Sequence, residues 1–138
     1  MKVLFVCTGN TCRSPMAEGI FNSISKGAIS RGISAEGGNA SEKAIVTMEK
    51  MGIDISKHVS TQLSVEDINQ SDLVLTMTKG HKNIILSVLP MCKDKVFTLG
   101  EYAGGSDVAD PYGGSEAEYD KCARQLYEYI EKIVEKLK

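Results

Sequence analysis

The side chains with the most chemistry to offer lie together near the amino terminus, in the run Cys7-Thr8-Gly9-Asn10-Thr11-Cys12-Arg13-Ser14. A thiol and a guanidinium at the two ends of a short loop suit a phosphate group. The guanidinium fork of Arg13 matches two phosphate oxygens. The same positive surroundings favour a thiolate on Cys7, and the thiolate is the nucleophile. A loop that runs into a helix start adds free amides and the positive end of a helix dipole, which together cradle a dianion. Gly9 is expected to let the backbone turn tightly at the phosphate. Asn10 tolerates a left-handed backbone and can tie the loop to a neighbour. Ser14 can cap the helix, donate to the Cys7 thiolate, or both. The loop has no Gly-Lys-Ser/Thr, so it is not a nucleotide-binding P-loop. A lone Cys here would be an ordinary buried residue; Cys and Arg spaced across a strand–loop–helix junction argue for catalysis.

Breaking a phosphoryl bond also needs an acid to protonate the leaving group. Asp110, in Asp107-Val108-Ala109-Asp110-Pro111-Tyr112, is the best candidate, because Pro111 stiffens the turn that carries it. Asp107 is the second choice. An Asp-Pro pair on its own is only turn chemistry, and it gains meaning from the cysteine loop.

These groups need elements to hold them. Lys2 to Val6 is a short apolar run that reads as a buried strand stopping at Cys7. Ser14-Pro15 looks like a helix start, with Ser14 as cap and Pro15 in the first helical position. Met16, Ala17, Ile20, Phe21 and Ile24 follow at helical spacing, and Gly27 closes the helix. Residues 29–35 alternate weakly and suit a second strand. A helix over 41–51 ends at Gly52. Residues 72–77 are a clear strand, 80–89 a helix stopped by Pro90, and 96–99 another strand. Residues 100–114 form the longest loop, and 115–137 a terminal amphipathic helix capped by Ser115. Strands alternating with helices predict an α/β sandwich of three layers, a parallel sheet covered on both faces. Ligands of such sheets bind at the carboxyl ends of strands, where Cys7 stands and which the long loop can reach.

Composition narrows the function classes. The chain has 138 residues, 42% hydrophobic and 25% charged, with a net charge of −2. This fits one domain over residues 1–138 with a real core. Lys and Arg are scattered, which argues against nucleic acid. No apolar run nears the ~20 residues of a membrane helix, and the apolar start is too short for a signal peptide. The expectation is a cytoplasmic, monomeric protein with no cofactor. Cys7, Cys12, Cys92 and Cys122 are expected to be free thiols. None forms a Cys-x-x-Cys pair or joins a nearby His, so no metal is expected.

The sequence resembles the low-molecular-weight protein tyrosine phosphatase family. The resemblance rests on Val6-Cys-Thr-Gly-Asn-Thr-Cys-Arg-Ser-Pro-Met-Ala-Glu18, on Asp110-Pro111-Tyr112, and on Asp72-Leu-Val-Leu-Thr-Met77 with His81 shortly after. It implies a four-stranded parallel sheet with flanking helices and phosphorylated protein substrates. It also implies a phosphocysteine intermediate on Cys7, with phosphate held by Arg13 and Asp110 acting as acid and then base. Asn10, Ser14 and His58, in Lys57-His58-Val59-Ser60, would support the loop.

Two departures bear on substrate. The family usually reads Ser-Ala-Gly after the second strand, and this chain reads Ser34-Ala35-Glu36 followed by Gly37-Gly38-Asn39-Ala40, without the aromatic that tyrosine-directed members often place there. Tyr112 is left as the rim aromatic. Those members also usually carry a bulky branched aliphatic where Thr11 stands, whereas the family's protein arginine phosphatases resemble this chain. Phosphoarginine is therefore expected ahead of phosphotyrosine, with Thr11 and Tyr112 as specificity residues. A phosphate-binding module without activity and an arsenate reductase are the other readings. The second lacks a close pair of cysteines in a later loop. Cys12, in the same loop as Cys7, is expected to capture an oxidised Cys7 as a disulfide.

Overall fold

The computed structural model describes residues 1–138. Four strands form one parallel sheet: β1 (Val3–Cys7), β2 (Ala28–Gly32), β3 (Leu73–Thr76) and β4 (Val96–Thr98), in the spatial order β2-β1-β3-β4. The helices are α1 (Arg13–Ile24), α2 (Glu42–Lys50), α3 (Val65–Gln70), α4 (Lys79–Val88), α5 (Leu99–Ala103) and α6 (Glu116–Leu137), with a 3₁₀ turn at Pro90–Cys92. The three expected layers are present. Val3, Phe5, Leu73 and Leu75 face one core with Met16 and Ile20 of α1 and Leu126, Ile130 and Ile133 of α6. Leu4, Val6, Val74 and Val96 face a smaller one with Ile68 of α3 and Ile85 of α4. A strand apolar on both faces reads as an unbroken apolar run, which is why β1 was legible.

Three expectations need correction. Helix α1 begins at Arg13, with Cys12 rather than Ser14 in the capping position and no side-chain cap. Pro15 therefore sits third in the helix, where a missing N–H still costs no intrahelical bond. The second strand is shorter than 29–35, ending at Gly32. Helices α3 and α5 arise where no helix was expected. Each is a single short turn nucleated by a capping box, Ser64 with Asp67 and Thr98 with Glu101.

The order of strands positions the site. From β1 the chain goes to β2 on one side and, later, to β3 on the other. The carboxyl end of β1 is thus the switch point of the sheet, where a crevice opens. Cys7 is the last residue of β1.

Candidate active site

The loop from Cys7 to Ser14 is held from outside by its carbonyls and left free inside at its amides. The carbonyl of Cys7 accepts from the Ile33 N–H (3.0 Å), Thr8 from Ser34 N–H (2.9 Å), and Thr11 from Ser41 N–H (2.9 Å). Gly9 accepts from Ser60 Oγ (2.7 Å), and Nε2 of His58 lies 2.9 Å from the Asn10 carbonyl. The N–H groups from Thr8 to Cys12 have no protein acceptor, and those of Arg13 and Ser14 belong to the first turn of α1, which has no carbonyl behind it. A run of amides with carbonyls pinned outward is an anion nest at a helix N-terminus.

The turn in this loop falls on Asn10, not on Gly9. Asn10 has φ of 57°, the one non-glycine residue in the left-handed region. A Cβ on Gly9 would meet only Thr11 Oγ1, at 3.7 Å. The glycine the loop cannot do without is Gly32 of β2, where a Cβ would come within 2.7 Å of the Thr8 carbonyl oxygen. Asn10 holds its strained position because its fully buried side chain is satisfied at every atom. Its Nδ2 donates to Ser14 Oγ (2.8 Å) and Ser30 Oγ (3.0 Å), and its Oδ1 accepts from the Thr61 N–H (2.9 Å).

That network fixes the surroundings of the Cys7 sulfur. Ser14 Oγ lies 2.8 Å from Cys7 Sγ. Since Ser14 accepts from Asn10, its own hydrogen is left to point at the sulfur, where it stabilises a thiolate. Ser30, which also accepts from Asn10, donates onward to Glu18 (2.8 Å). The chain Glu18–Ser30–Asn10–Ser14–Cys7 is a fixed relay of dipoles, buried at its centre.

Arg13 approaches from the first turn of α1. Its Nη1 donates to the Val108 carbonyl (3.0 Å) and its Nη2 lies 3.6 Å from Asp110 Oδ2. The Arg13 side chain is buried, whereas that of Asp110 is 51% exposed. Asp110 Oδ1 accepts from the Tyr112 N–H (3.0 Å), a local turn that aims the carboxyl group. Asp107 is spent elsewhere: its carboxylate accepts from the N–H of Lys79 at the start of α4 (3.2 Å). Cys7, Thr8, Gly9, Thr11, Cys12, Arg13, Asp110 and Tyr112 line one cleft of about 320 Å³, together with Ser34, Glu36 and Gly37. Tyr112 is an exposed rim residue, at 73%. Thr11 keeps its hydroxyl uncommitted except for a 3.8 Å approach to Cys12 Sγ.

The structure adds contacts that the sequence did not assign. His81 of α4 backs the loop, with Nε2 2.9 Å from Thr8 Oγ1 and Nδ1 3.2 Å from Thr78 Oγ1. Burial, and then the charge of Arg13, lowers its pKa to about 4, against smaller opposing effects of Asp110 and Asp107. Tyr119 of α6 lies 3.3 Å from Cys12 Sγ, and Ser41 lies 3.4 Å from it. The Tyr119 hydroxyl is pushed up to about 12, by burial first. Cys122 is likewise pushed up to about 12 by burial, so it stays a thiol. Cys92 lies in the core on the far side of the sheet. No signal of spacing joins His81 of α4 and Tyr119 of α6 to the loop; they come from different elements.

A nucleophilic sulfur, a dianion nest, a buried guanidinium and a carboxyl group across one cleft define a phosphoryl-transfer enzyme that works through a thiol. The model of the family described as "Low molecular weight phosphotyrosine protein phosphatase" matches residues 2–138, and the chain belongs to that family. Among its relatives, the protein-arginine-phosphatase of Bacillus subtilis strain 168 is 43% identical, over 100% of this chain and 97% of its own. A low-molecular-weight protein tyrosine phosphatase from T. tengcongensis is 49% identical, with a TM-score of 0.95 and 99% of both chains covered. A cysteine-to-serine mutant of the YwlE arginine phosphatase, its active-site serine phosphorylated, superposes with a TM-score of 0.95 at 40% identity, over 99% of this chain and 95% of that one.

Proposed function

We propose that this phosphatase acts on phosphoarginine in proteins, through a phosphocysteine on Cys7. The thiolate attacks phosphorus while the loop amides and Arg13 hold the phosphoryl oxygens. The phosphorus–nitrogen bond breaks, its electron pair goes to the guanidine nitrogen, and Asp110 supplies a proton to it. Asp110, now a carboxylate, takes a proton from the water that attacks the phosphocysteine. The sulfur–phosphorus bond breaks and phosphate leaves. Asn10, Ser14 and His58 hold the loop in place.

The observation that carries the substrate choice is Thr11, a small polar residue in the wall of the cleft with its hydroxyl uncommitted. A relative named protein-arginine-phosphatase at 43% identity supports the same choice. The test is a side-by-side assay of phosphoarginine and phosphotyrosine proteins with the wild type and Thr11→Ile. The substitution should shift the kcat/KM ratio toward phosphotyrosine by about tenfold or more. An unshifted ratio, or a native preference for phosphotyrosine, refutes the arginine reading. The second reading, phosphotyrosine, is favoured by the relative from T. tengcongensis, whose name carries that substrate.

We further read residues 1–138 as one catalytic domain, monomeric and cytoplasmic, that uses no cofactor, metal, membrane or nucleic acid; chelator should leave turnover unchanged. No helix is long and apolar enough to cross a membrane. Cys12 is read as the thiol that condenses with a Cys7 sulfenic acid, releasing water and sparing Cys7 further oxidation. Both cysteines line the cleft. Peptide mapping after mild peroxide should find the Cys7–Cys12 disulfide; Cys7 as sulfinic acid beside a free Cys12 counts against it.

A further inference from the structure

The charges of the cleft are layered. Its floor is positive, made of free loop amides and the buried Arg13. Its mouth carries two carboxylates, Asp110 and Glu36. Asp110 is engaged by Arg13 and by the Tyr112 N–H. Glu36 is exposed and has neither an ion-pair nor a hydrogen-bond partner. An unpaired acid beside a phosphate site works against a substrate whose reacting end is purely anionic.

The backbone that carries Glu36 is nonetheless fixed. On one side, the Ser34 N–H donates to the Thr8 carbonyl and the Ala35 N–H to Gln62 Oε1, each at 2.9 Å. On the other, the Gly38 carbonyl accepts from Ser60 N–H (2.8 Å) and Asn39 bridges to Val59. Between them Gly37 and Gly38 turn in the left-handed region, φ 83° and 82°, with open space where a side chain would stand. A free carboxylate on a tethered segment, facing an unfilled wall, is placed to receive something from the substrate.

We propose that Glu36 is a specificity-determining residue that pairs with the guanidinium of the substrate. This deepens the phosphoarginine reading and rests on it. A phosphorylated guanidinium carries negative charge on its phosphoryl end and positive charge on its carbon–nitrogen plane. The layered cleft matches that polarity, phosphoryl group to floor and guanidinium to mouth. An aryl phosphate offers the mouth no positive charge, so Glu36 repels it. One carboxylate then discriminates in both directions. At an exposed site each effect is modest and weakens with salt.

The test is kcat/KM on a phosphoarginine peptide and on an aryl phosphate, at low and high salt, for the wild type, Glu36→Gln, Glu36→Lys and Glu36→Asp. Glu36 is exposed and makes no hydrogen bond or ion pair in the fold, so each variant should keep its structure, checked by thermal unfolding. The ratio of phosphoarginine to aryl phosphate should fall about threefold to fivefold in Glu36→Gln and about tenfold or more in Glu36→Lys. The change should lie in KM for phosphoarginine, shrink at high salt, and be smaller in Glu36→Asp. If the wild type hydrolyses phosphoarginine but the ratio does not move, or moves equally in Gln and Lys, the role of Glu36 is refuted alone. If the wild type does not hydrolyse phosphoarginine, the substrate reading falls and this inference with it.

Discussion

The two halves of the proposed catalytic apparatus are built in opposite ways. The loop from Cys7 to Ser14 is mostly buried and tied at carbonyl after carbonyl to Ile33 and Ser34 just past β2, to Ser41 that caps α2, and to His58 and Ser60. The acid segment from Asp107 to Gly114 is mostly exposed and held by a few bonds, among them Val108 N–H to the Met77 carbonyl and Gly114 N–H to Pro111. The division suits the chemistry. Charge on the transferring phosphoryl oxygens is stabilised best by dipoles that do not reorganise. An acid that must first meet a leaving group and then a water needs room. Arg13 is the one side chain that belongs to both halves, since it starts in the loop's helix and donates to Val108.

The sharpest way to break the comparison is to remove each end of the rigid half. Cys7→Ser should abolish turnover, by roughly a thousandfold or more, because an alcohol there is not ionised. It should keep inorganic phosphate binding, since the amides and Arg13 remain. Arg13→Ala should lose both. It removes the charge that faces the nest and leaves the Val108 carbonyl and Asp110 without their partner. Calorimetric titration with phosphate separates the two variants. Equal phosphate affinity in both would mean that the amides alone hold the anion, and a phosphoenzyme trapped on any other residue would refute Cys7.

Asp110→Asn probes the open half and should have the smaller effect. Turnover should fall on the order of a hundredfold for substrates with poor leaving groups and much less for an activated aryl phosphate. The amide can still accept from the Tyr112 N–H, so the turn survives. Equal losses on both substrates would show that Asp110 does not donate the proton. Asp107 is tied to the start of α4, so its replacement should mainly loosen that contact.

The rigid half was also the legible half. Cys7, Asn10, Arg13 and Ser14 lie in one run, and their types carry the chemistry; the run of apolar residues in β1 gave their position at the sheet edge. What stood behind them was not legible. Ser30, Ser41, Ser60 and His81 are ordinary polar residues scattered over four regions, and only the fold turns their side chains or amides toward the loop. Ser14 is a partner of Cys7 but not the cap, and sequence cannot separate the two roles because a Ser-Pro pair has the same appearance whether its Pro is first or third in the helix. Gly9 was credited with the turn that Asn10 makes, and the glycine that mattered, Gly32, lies on a different strand and shows its importance only through the closeness of Thr8.

His81 joins the two halves, and its titration gives the smallest and most specific effect. It touches Thr8 of the loop, and its charge state responds to Arg13, Asp110 and Asp107. Its pKa is lowered to about 4 in the folded chain from an ordinary 6.5. Below pH 6.5 the unfolded chain therefore binds a proton that the folded chain refuses. Stability from this residue is fully present above pH 6.5 and is lost as the pH falls toward 4. The comparison to make is His81→Gln, whose amide can still meet the Thr8 hydroxyl but cannot titrate. Thermal unfolding from pH 7 down to pH 4.5 should show the wild type losing melting temperature more steeply than the variant, with the two curves converging in slope above pH 7. Parallel curves throughout would mean that His81 accepts its proton in the folded state as readily as in the unfolded one. The Thr8 contact would then have to survive an imidazolium placed beside Arg13, which the like charges oppose.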